Sequence, residues 1–566
     1  MRTSALRICT LLFCVAAAAA EPRPDQMQPV VSGYTSLNGD YSVGQSFVPG
    51  KPELRRVRIY LNAPESGKNT QSVRLSVRES AFDGRELGRA ELPAGAVDAR
   101  GGYYAFDFPS VLRLTPGRKY VFRLEYDVPE AEKLTLPAAS DYFHDLYPSG
   151  DLITAWKSAP PQIRQGQDLA FKTYSDLSGT EPEVPERPFR ALLNVDYSDN
   201  FVYAGKNSFG SRDPREEIRE TLENARANGF DGVNWRVSFM GEALYRSRIA
   251  NVIGERFGDK GYGWVGTDAA MRNLVRAVQA ADPLAIAVAE GRRLGLKVYA
   301  WVTLNDMGTN QERLDGFLGR NPHYQWVSRD GKRHLSGTPC YAEPEMRRYM
   351  LTLLRELMEY GVDGLYVSTR GHTTAFRRPT LLEYGFNPPV LNAYRERYGI
   401  DLQKSFDEAR DGDRLIRLRA ELENELYREL KQLRDREFPQ VEILADLSQL
   451  PQDYAAWVRE KLVDAITVNT VSGSEGNLPS GDEYRDIADF YRSRIDAMGG
   501  SVQVVPWLQV YSYRLKYQQE REEITRNLKA LRRSGADGVI FHEHCAALSE
   551  PEKFWSFIRR GLDRSL

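Results

Sequence analysis

Gly229-Phe230-Asp231-Gly232-Val233-Asn234-Trp235 is echoed twice further along the chain, as Gly361-Val362-Asp363-Gly364-Leu365-Tyr366-Val367 and as Gly535-Ala536-Asp537-Gly538-Val539-Ile540-Phe541. Each copy closes a charged segment with helical patterning and opens a short apolar run. A helix ended by a glycine at positive φ, an Asp-Gly turn and a buried parallel strand account for that order. Gly295-Leu296-Lys297-Val298-Tyr299-Ala300-Trp301 is a related unit. Working outward, strand patterns recur at 190–196, 231–238, 297–304, 363–368, 441–446, 464–469, 502–509 and 537–543, with helical segments between them. Eight strands alternating with helices predict a (β/α)8 TIM barrel over 189–566, in preference to an open sheet. Its chemistry is expected at the carboxyl ends of the strands. Leu415, Leu418, Leu422, Leu426, Leu430 and Leu433 form a stripe before the fifth strand. The helical shell of a barrel needs such a stripe, with coiled-coil pairing as the alternative.

Upstream, the patterning changes from helical to alternating. Arg56–Leu61, Ser72–Val77 and Lys119–Tyr126 alternate polar and apolar residues, and Pro49-Gly50, Asp83-Gly84 and Pro116-Gly117 separate them. Short strands at this spacing predict an N-terminal all-β sandwich over 27–178. Residues 179–188 are rich in Pro and Glu and read as a semi-rigid linker. At the start, Arg2 and Arg7 precede the apolar run Ile8–Val15 and an alanine run ending at Ala20, the order of a secretory signal peptide over 1–20. A secreted or periplasmic, soluble protein is therefore expected. Lipidation at Cys14 is disfavoured because the bulky Phe13 precedes it. No later run approaches the ~20 apolar residues of a membrane span.

The 76 basic and 78 acidic residues leave a net charge of −2 and no basic run, which points away from nucleic acid as a partner. Beyond residue 20 only Cys340 and Cys545 remain, too few for a disulfide scaffold; one bridge and two isolated thiols are both compatible with the spacing.

Several further segments carry a resemblance. Val233–Ser247, Asp282-Pro283-Leu284, Arg293–Asn305, Asn321-Pro322-His323 through Trp326, Asp330-Gly331-Lys332, Pro344–Arg347, Tyr360–Gly364, Tyr384–Val390 and Arg397–Asp401 follow one another in order. Together they resemble the bacterial glycosyl-hydrolase-like family 10 domain, a (β/α)8 group distinct from the xylanases. The likeness covers about residues 190 to 400 and fades afterwards. Gly44–Phe47, the Asp83-Gly84 hairpin and Leu114–Tyr120 look like the jelly-roll-like accessory modules of secreted bacterial carbohydrate enzymes. The resemblance implies a glycoside hydrolase acting on a polysaccharide or oligosaccharide, with no cofactor, and a module that packs structurally or binds sugar. The chain departs from it in two places. Ser368 stands where the family carries an acid after the fourth strand, and the seventh strand ends Pro506-Trp507-Leu508-Gln509, again without one. A non-catalytic glycan-binding barrel is the alternative those departures favour.

Glycoside cleavage needs a proton donor and a carboxylate that attacks or activates water. Acids fall at or beyond the expected carboxyl ends at Asp196, Asp306, Glu343, Asp446, Glu475 and Glu543. Of these, Glu543, Asp446, Glu343 and Asp196 are the catalytic candidates. Glu343 also reads as a helix-start residue and Asp196 as a turn residue. Asp446 and Glu543 end apolar strands, where the fallback is an ion pair with an arginine such as Arg236 or Arg370. Asp363 and Asp537 lie at the opposite, amino ends and are assigned to stability. Substrate contacts are expected from Asn234, Trp235, Arg236, Trp301, Asn305, Asp306, Arg370, His372, Trp507, Gln509 and His542, by hydrogen bonding or by stacking on sugar rings. His542 and His544 share one face if the eighth strand continues that far, so a metal-dependent hydrolase is a second alternative, though structural or substrate-binding histidines are favoured and no metal is assigned.

Overall fold

The computed structural model describes residues 22–31, 33–62, 68–97, 101–126, 128, 136–141, 146–179, 188–202, 210–255, 268–308, 314, 316–369, 378–447, 452–468, 481–512, 517–542, 544 and 551–562. The expected signal peptide, most of the expected linker, and Arg370, His372, Glu475, Glu543 and Cys545 lie outside the described residues.

In the N-terminal module a seven-stranded and a six-stranded sheet enclose one apolar core that includes Val43, Phe47, Ile59, Leu75, Phe106 and Phe171. The alternating segments read from the sequence fall on its strands Glu53–Leu61, Val73–Glu79 and Tyr120–Tyr126. Their period-two apolar residues face the opposite sheet, which is what makes two such sheets a sandwich.

The second unit is a closed eight-stranded parallel barrel. Its strands are β1 (Arg190–Val195), β2 (Gly232–Arg236), β3 (Lys297–Thr303), β4 (Gly364–Ser368), β5 (Glu442–Asp446), β6 (Ala465–Val468), β7 (Gln503–Gln509) and β8 (Gly538–His542). An α/β TIM barrel behind an all-β sandwich is thus the fold. The repeated Asp-Gly stretches build its amino end. Asp231, Asp363 and Asp537 each accept a backbone N–H from a neighbouring strand, from Ala191 at 2.8 Å, Val298 at 2.9 Å and Val504 at 2.8 Å. Asp464 does the same for Ile443 at 2.7 Å. Gly229 and Gly361 end their helices at φ 93° and 78°, as expected. Gly535 differs: it serves close packing, since a Cβ there would stand 2.4 Å from the Cβ of Arg492. Inside the amino end, Glu442 accepts from Arg190 at 2.7 Å, Lys297 at 2.5 Å and the Tyr299 hydroxyl at 3.1 Å. Burial works to raise the Glu442 pKa, but these cations hold it below the usual range.

The helices needed below are α1 (Tyr197–Val202), α2 (Pro344–Glu359), α3 (Arg378–Glu383), α4 (Pro388–Tyr398), α5 (Glu408–Glu437) and α6 (Gly481–Ala497). The 30 residues of α5 span about 45 Å, more than twice the height of the barrel wall. Its second half packs on the barrel through Leu426 and Leu430. Its first half stands above the mouth and, through Leu415 and Leu418, shares a separate core with Trp326, Leu381, Phe386, Val390 and Tyr394. The leucine stripe therefore serves two cores, one in the helical shell and one in an upper group built on loops after β3 and β4.

The module and the barrel meet over α6. Lys172 of the module strand Phe171–Tyr174 is fully buried, donates to Asp486 of α6 and lies 4.2 Å from the centre of the Tyr103 ring. Arg485 completes the group, 2.8 Å from Asp486.

Candidate active site at the barrel mouth

Strand alternation decides which side chains enter the barrel. On β3, Tyr299 and Trp301 point inward, with Tyr366 of β4, Leu444 of β5, Trp507 of β7 and Ile540 of β8 in the same interior core. Trp301 and Trp507 meet edge to face at 6.4 Å, and the His542 ring stacks on Trp507 at 4.3 Å. Asn234 donates to Asn194 at 2.7 Å, and the Asn194 amide nitrogen lies 3.1 Å from His542 Nδ1. An amide nitrogen only donates, so Nδ1 accepts and the neutral ring carries its proton on Nε2. Trp235 corrects the expectation of a third tryptophan at the mouth. Its neighbours Asn234 and Arg236 face inward, so its ring lies outside the barrel wall, 5.2 Å from Tyr197 of α1.

The carboxyl ends of β1, β2 and β3 carry one buried ionic group. Arg236 donates to Asp196, to Asp306 at 3.2 Å and, through Nε, to the Ser238 carbonyl at 2.9 Å. All three charged residues are about 1% exposed. Asp196 also accepts from Ser198 at 2.6 Å and from the backbone of Asp199 at 3.2 Å, which makes it the turn residue of its alternative reading as well as an ion-pair partner. Burial opposes the Arg236 charge, but Asp196 and Asp306 more than compensate and raise its pKa. The guanidinium lies 5.5 Å from the centre of the Trp301 ring, so this group borders the aromatic interior. Asp196 and Asp306 are consequently held as partners of Arg236, a geometry suited to fixing the mouth more than to moving protons.

Across the barrel, β5 ends in Asp446, which is fully buried. Its Oδ2 accepts from the Ser368 hydroxyl at 2.8 Å. The serine that replaces the expected fourth-strand acid therefore orients the carboxylate of the next strand. Thr467 of β6 pairs with Asp446 in register. Among the described residues, Trp301 Nε1, Asn234 Oδ1 and Thr467 Oγ1 are buried and have no hydrogen-bond partner. Polar atoms left so in an interior are where ordered water or a ligand group belongs. Gln509, at the end of β7, is half-buried and donates to the Tyr511 carbonyl at 2.9 Å.

Above the wall between β3 and β5 lies a cavity lined by Asn305, Trp326, Cys340, Tyr341, Arg419 and Glu423, among others. Asn305 donates to the Thr369 carbonyl at 3.1 Å, tying the ends of β3 and β4 together. Glu343 is half-buried at the N-cap of α2, the helix-start position of its alternative reading, although its side chain makes no capping hydrogen bond there. Burial raises its pKa, partly offset by Arg347. Cys340 is a free, buried thiol, pushed up to about 12 by burial. Glu423 is the residue that sequence reading misses. The signal was there: Ile416, Ala420, Glu423 and Tyr427 recur at helical spacing beside the leucine stripe, so an acid sits on an inward face.

The two histidines part company. Strand β8 ends at His542, which faces the barrel interior, whereas His544 donates to Asn200 of α1 at 3.1 Å and lies 6.0 Å from Trp555. Burial lowers the His544 pKa to about 4. The alternation that would align them as ligands thus stops before His544, and among the described residues no group of three or more His, Cys, Asp or Glu is placed to hold a metal. No helix among the described residues is long and apolar enough to cross a membrane.

Fold and site together define a (β/α)8 barrel with carboxylates and aromatic rings at its mouth. No protein-family model and no curated protein sequence matches the chain. Solved structures similar to it include the glycoside hydrolase domain of PgaB (BpsB) from Bordetella bronchiseptica, at 13% identity and TM-score 0.44, covering 67% of this chain and 99% of that one. The catalytic domain of β-amylase from Paenibacillus polymyxa gives 10% and 0.41, covering 67% and 100%. Chitinase ChiW from Paenibacillus sp. gives 10% and 0.35, covering 91% of this chain and 43% of that one. At these scores the likenesses carry no residue role across to this chain.

Proposed function

We propose that the barrel hydrolyses glycosidic bonds in a polysaccharide or oligosaccharide, with Asp446 as a carboxylate of the reaction. The supporting observation is Asp446 itself, a buried carboxylate at the carboxyl end of an inner strand, oriented by the Ser368 hydroxyl. That is the end at which barrels of this kind place their chemistry. Beneath it, Trp301, Tyr366 and Trp507 pack together as a buried aromatic floor to the mouth. In this reading Asp446 attacks the anomeric carbon or takes a proton from water, and Ser368 holds the attacking oxygen in place. In this reading the first 20 residues serve as a signal peptide and the protein meets its substrate outside the cytoplasm.

Purified protein is expected to release reducing ends from at least one member of a broad polysaccharide panel. Asp446→Asn, which keeps the acceptor for Ser368 on one oxygen, is expected to lower kcat on the order of 100-fold or more while leaving the fold intact. A second reading, a barrel that binds glycans without cleaving them, is favoured by Ser368 and Gln509 standing where acids would complete the usual pair. Binding without cleavage across the panel decides for it.

A further inference from the structure

Asp446 supplies one carboxylate, and hydrolysis of a glycoside needs a second carboxyl that still carries its proton. We propose that this proton donor is Glu423, which reaches the cavity above β3–β5 from the inward face of α5. The assignment rests on the glycosidase reading above and adds to it a residue from the helical shell instead of a strand end.

Three observations converge on it. The first is position. Glu423 lies 14 residues before the end of α5, about 21 Å up the helix. Asp446 lies at the top of β5, whose five residues span about 17 Å from the same end of the barrel. Both carboxyls therefore stand at the height of the mouth. The second is surroundings. Glu423 shares its cavity with Asn305, from the end of β3, and with Tyr341. One turn on, the buried Tyr427 hydroxyl has its pKa raised well above the ordinary value by burial, then by Glu423 and Asp446, so both carboxyls act on one phenol. The third is freedom to react. Glu423 as a whole is half-buried, but its Oε1 is sealed from solvent and has no hydrogen-bond partner among the described residues.

The groups around Glu423 leave its proton in place. Arg419, one turn earlier on α5, donates instead to the carbonyls of Tyr384 and Leu381, the latter at 2.6 Å, and stacks 4.6 Å over the Trp326 ring. Burial lowers its own pKa to about 10. Cys340 is a neutral thiol, and Glu343 is itself shifted toward the neutral acid. Arg347 of α2 is engaged by Glu429 at 3.0 Å. Burial, with no cation to oppose it, pushes Glu423 up to about 8. The carboxyl end of the barrel thus carries a glutamic acid whose pKa burial raises to about 8 and an aspartate that accepts a hydroxyl hydrogen bond, the contrast of environments from which pairs of carboxyls take different roles.

In the step itself, the Glu423 proton moves to the glycosidic oxygen as the anomeric C–O bond breaks and its electron pair stays on that oxygen. The alcohol departs neutral. Water bonds to the anomeric carbon and gives its proton to Asp446. Glu423 then takes a proton from solvent and Asp446 releases one.

The test compares wild type, Glu423→Gln, Glu423→Asp, Glu343→Gln and Asp446→Asn on two substrates. One is the polysaccharide that wild type cleaves; the other is the 2,4-dinitrophenyl glycoside of its monosaccharide, whose leaving group needs no proton. E423Q is expected to lose on the order of 100-fold or more on the polysaccharide, but under about 10-fold on the aryl glycoside. It should also lose the alkaline limb of the kcat/KM profile, and E423D should regain that limb with part of the rate. Equal losses on both substrates, an alkaline limb retained in E423Q, or the same pattern in E343Q instead overturns the assignment. Cleavage that is lost in D446N but unchanged in E423Q removes Glu423 alone. A wild type inert on every substrate removes the glycosidase reading and the donor together.

Discussion

At the level of single residues, the mouth holds two ways of keeping a carboxyl out of water, and they answer differently to mutation. Asp196 and Asp306 are both paired with Arg236, which sits between them. Arg236→Met strips that cation from two buried carboxylates, and urea denaturation should show a loss of about 3–5 kcal/mol. Glu423 is instead kept neutral by burial. Its folded pKa of about 8 exceeds the ~4.3 of an unfolded glutamate, so between those values the native state holds a proton that the unfolded chain releases. Its contribution to stability is complete below pH ~4.3, fades as pH rises through that window and is gone above pH ~8. The melting temperature of Glu423→Gln should therefore gain on wild type from pH 4.5 to 8 and then run parallel to it; a constant offset across that range contradicts the burial. Asp446 and the inward Trp301 and Trp507 were legible because strand ends and strand alternation are local. The ion pairs of Asp196 and Asp306 were not, since they join residues 40 and 70 positions from Arg236 in sequence.

The element most plainly written in the sequence is the helix–glycine–Asp–Gly–strand unit, and its eight strands fall within two residues of their expected limits. The reason is physical: each Asp bonds a neighbouring strand's N–H, and the following Gly opens the strand where the interior is crowded. At Gly364 a Cβ would stand 2.4 Å from the Tyr299 ring, which in turn carries the hydrogen bond to Glu442. Gly364→Ala should cost about 1–3 kcal/mol by overpacking, measured by denaturant titration, with activity at the far end of the barrel unchanged. The loop elements were less legible. The upper group over α5 is assembled from β3 and β4 loops that make sense only once they meet, and Glu423 acquires its burial from that meeting.

Across the whole molecule, the module and barrel are joined by more than the chain. Lys172 is buried against Asp486, and burial alone would lower its pKa, but Asp486 raises it. Asp486→Asn leaves that ammonium in the interface without its countercharge, so the two units should uncouple: scanning calorimetry is expected to turn one transition into two. Neither Lys172 nor Asp486 advertises this role in the sequence, because their pairing spans 314 positions. Helix α5 links a second pair of parts, and it does so mechanically. Near its lower end Arg434 is pinned to the Val441 carbonyl at 3.0 Å and to Asp464 at 2.9 Å, at the barrel's amino end. Higher up, Asn424 donates to Asp453 at 3.1 Å and accepts from the Trp457 indole at 2.9 Å, so the rod is clamped to the barrel shell as far as the residue beside Glu423. The 15 residues from Glu408 to Leu422 reach about 22 Å beyond that clamp and carry the upper group. The helix is thus a cantilever, and a sway of the loops at its free end leaves the proposed acid, seated at the clamp, with its aim unchanged.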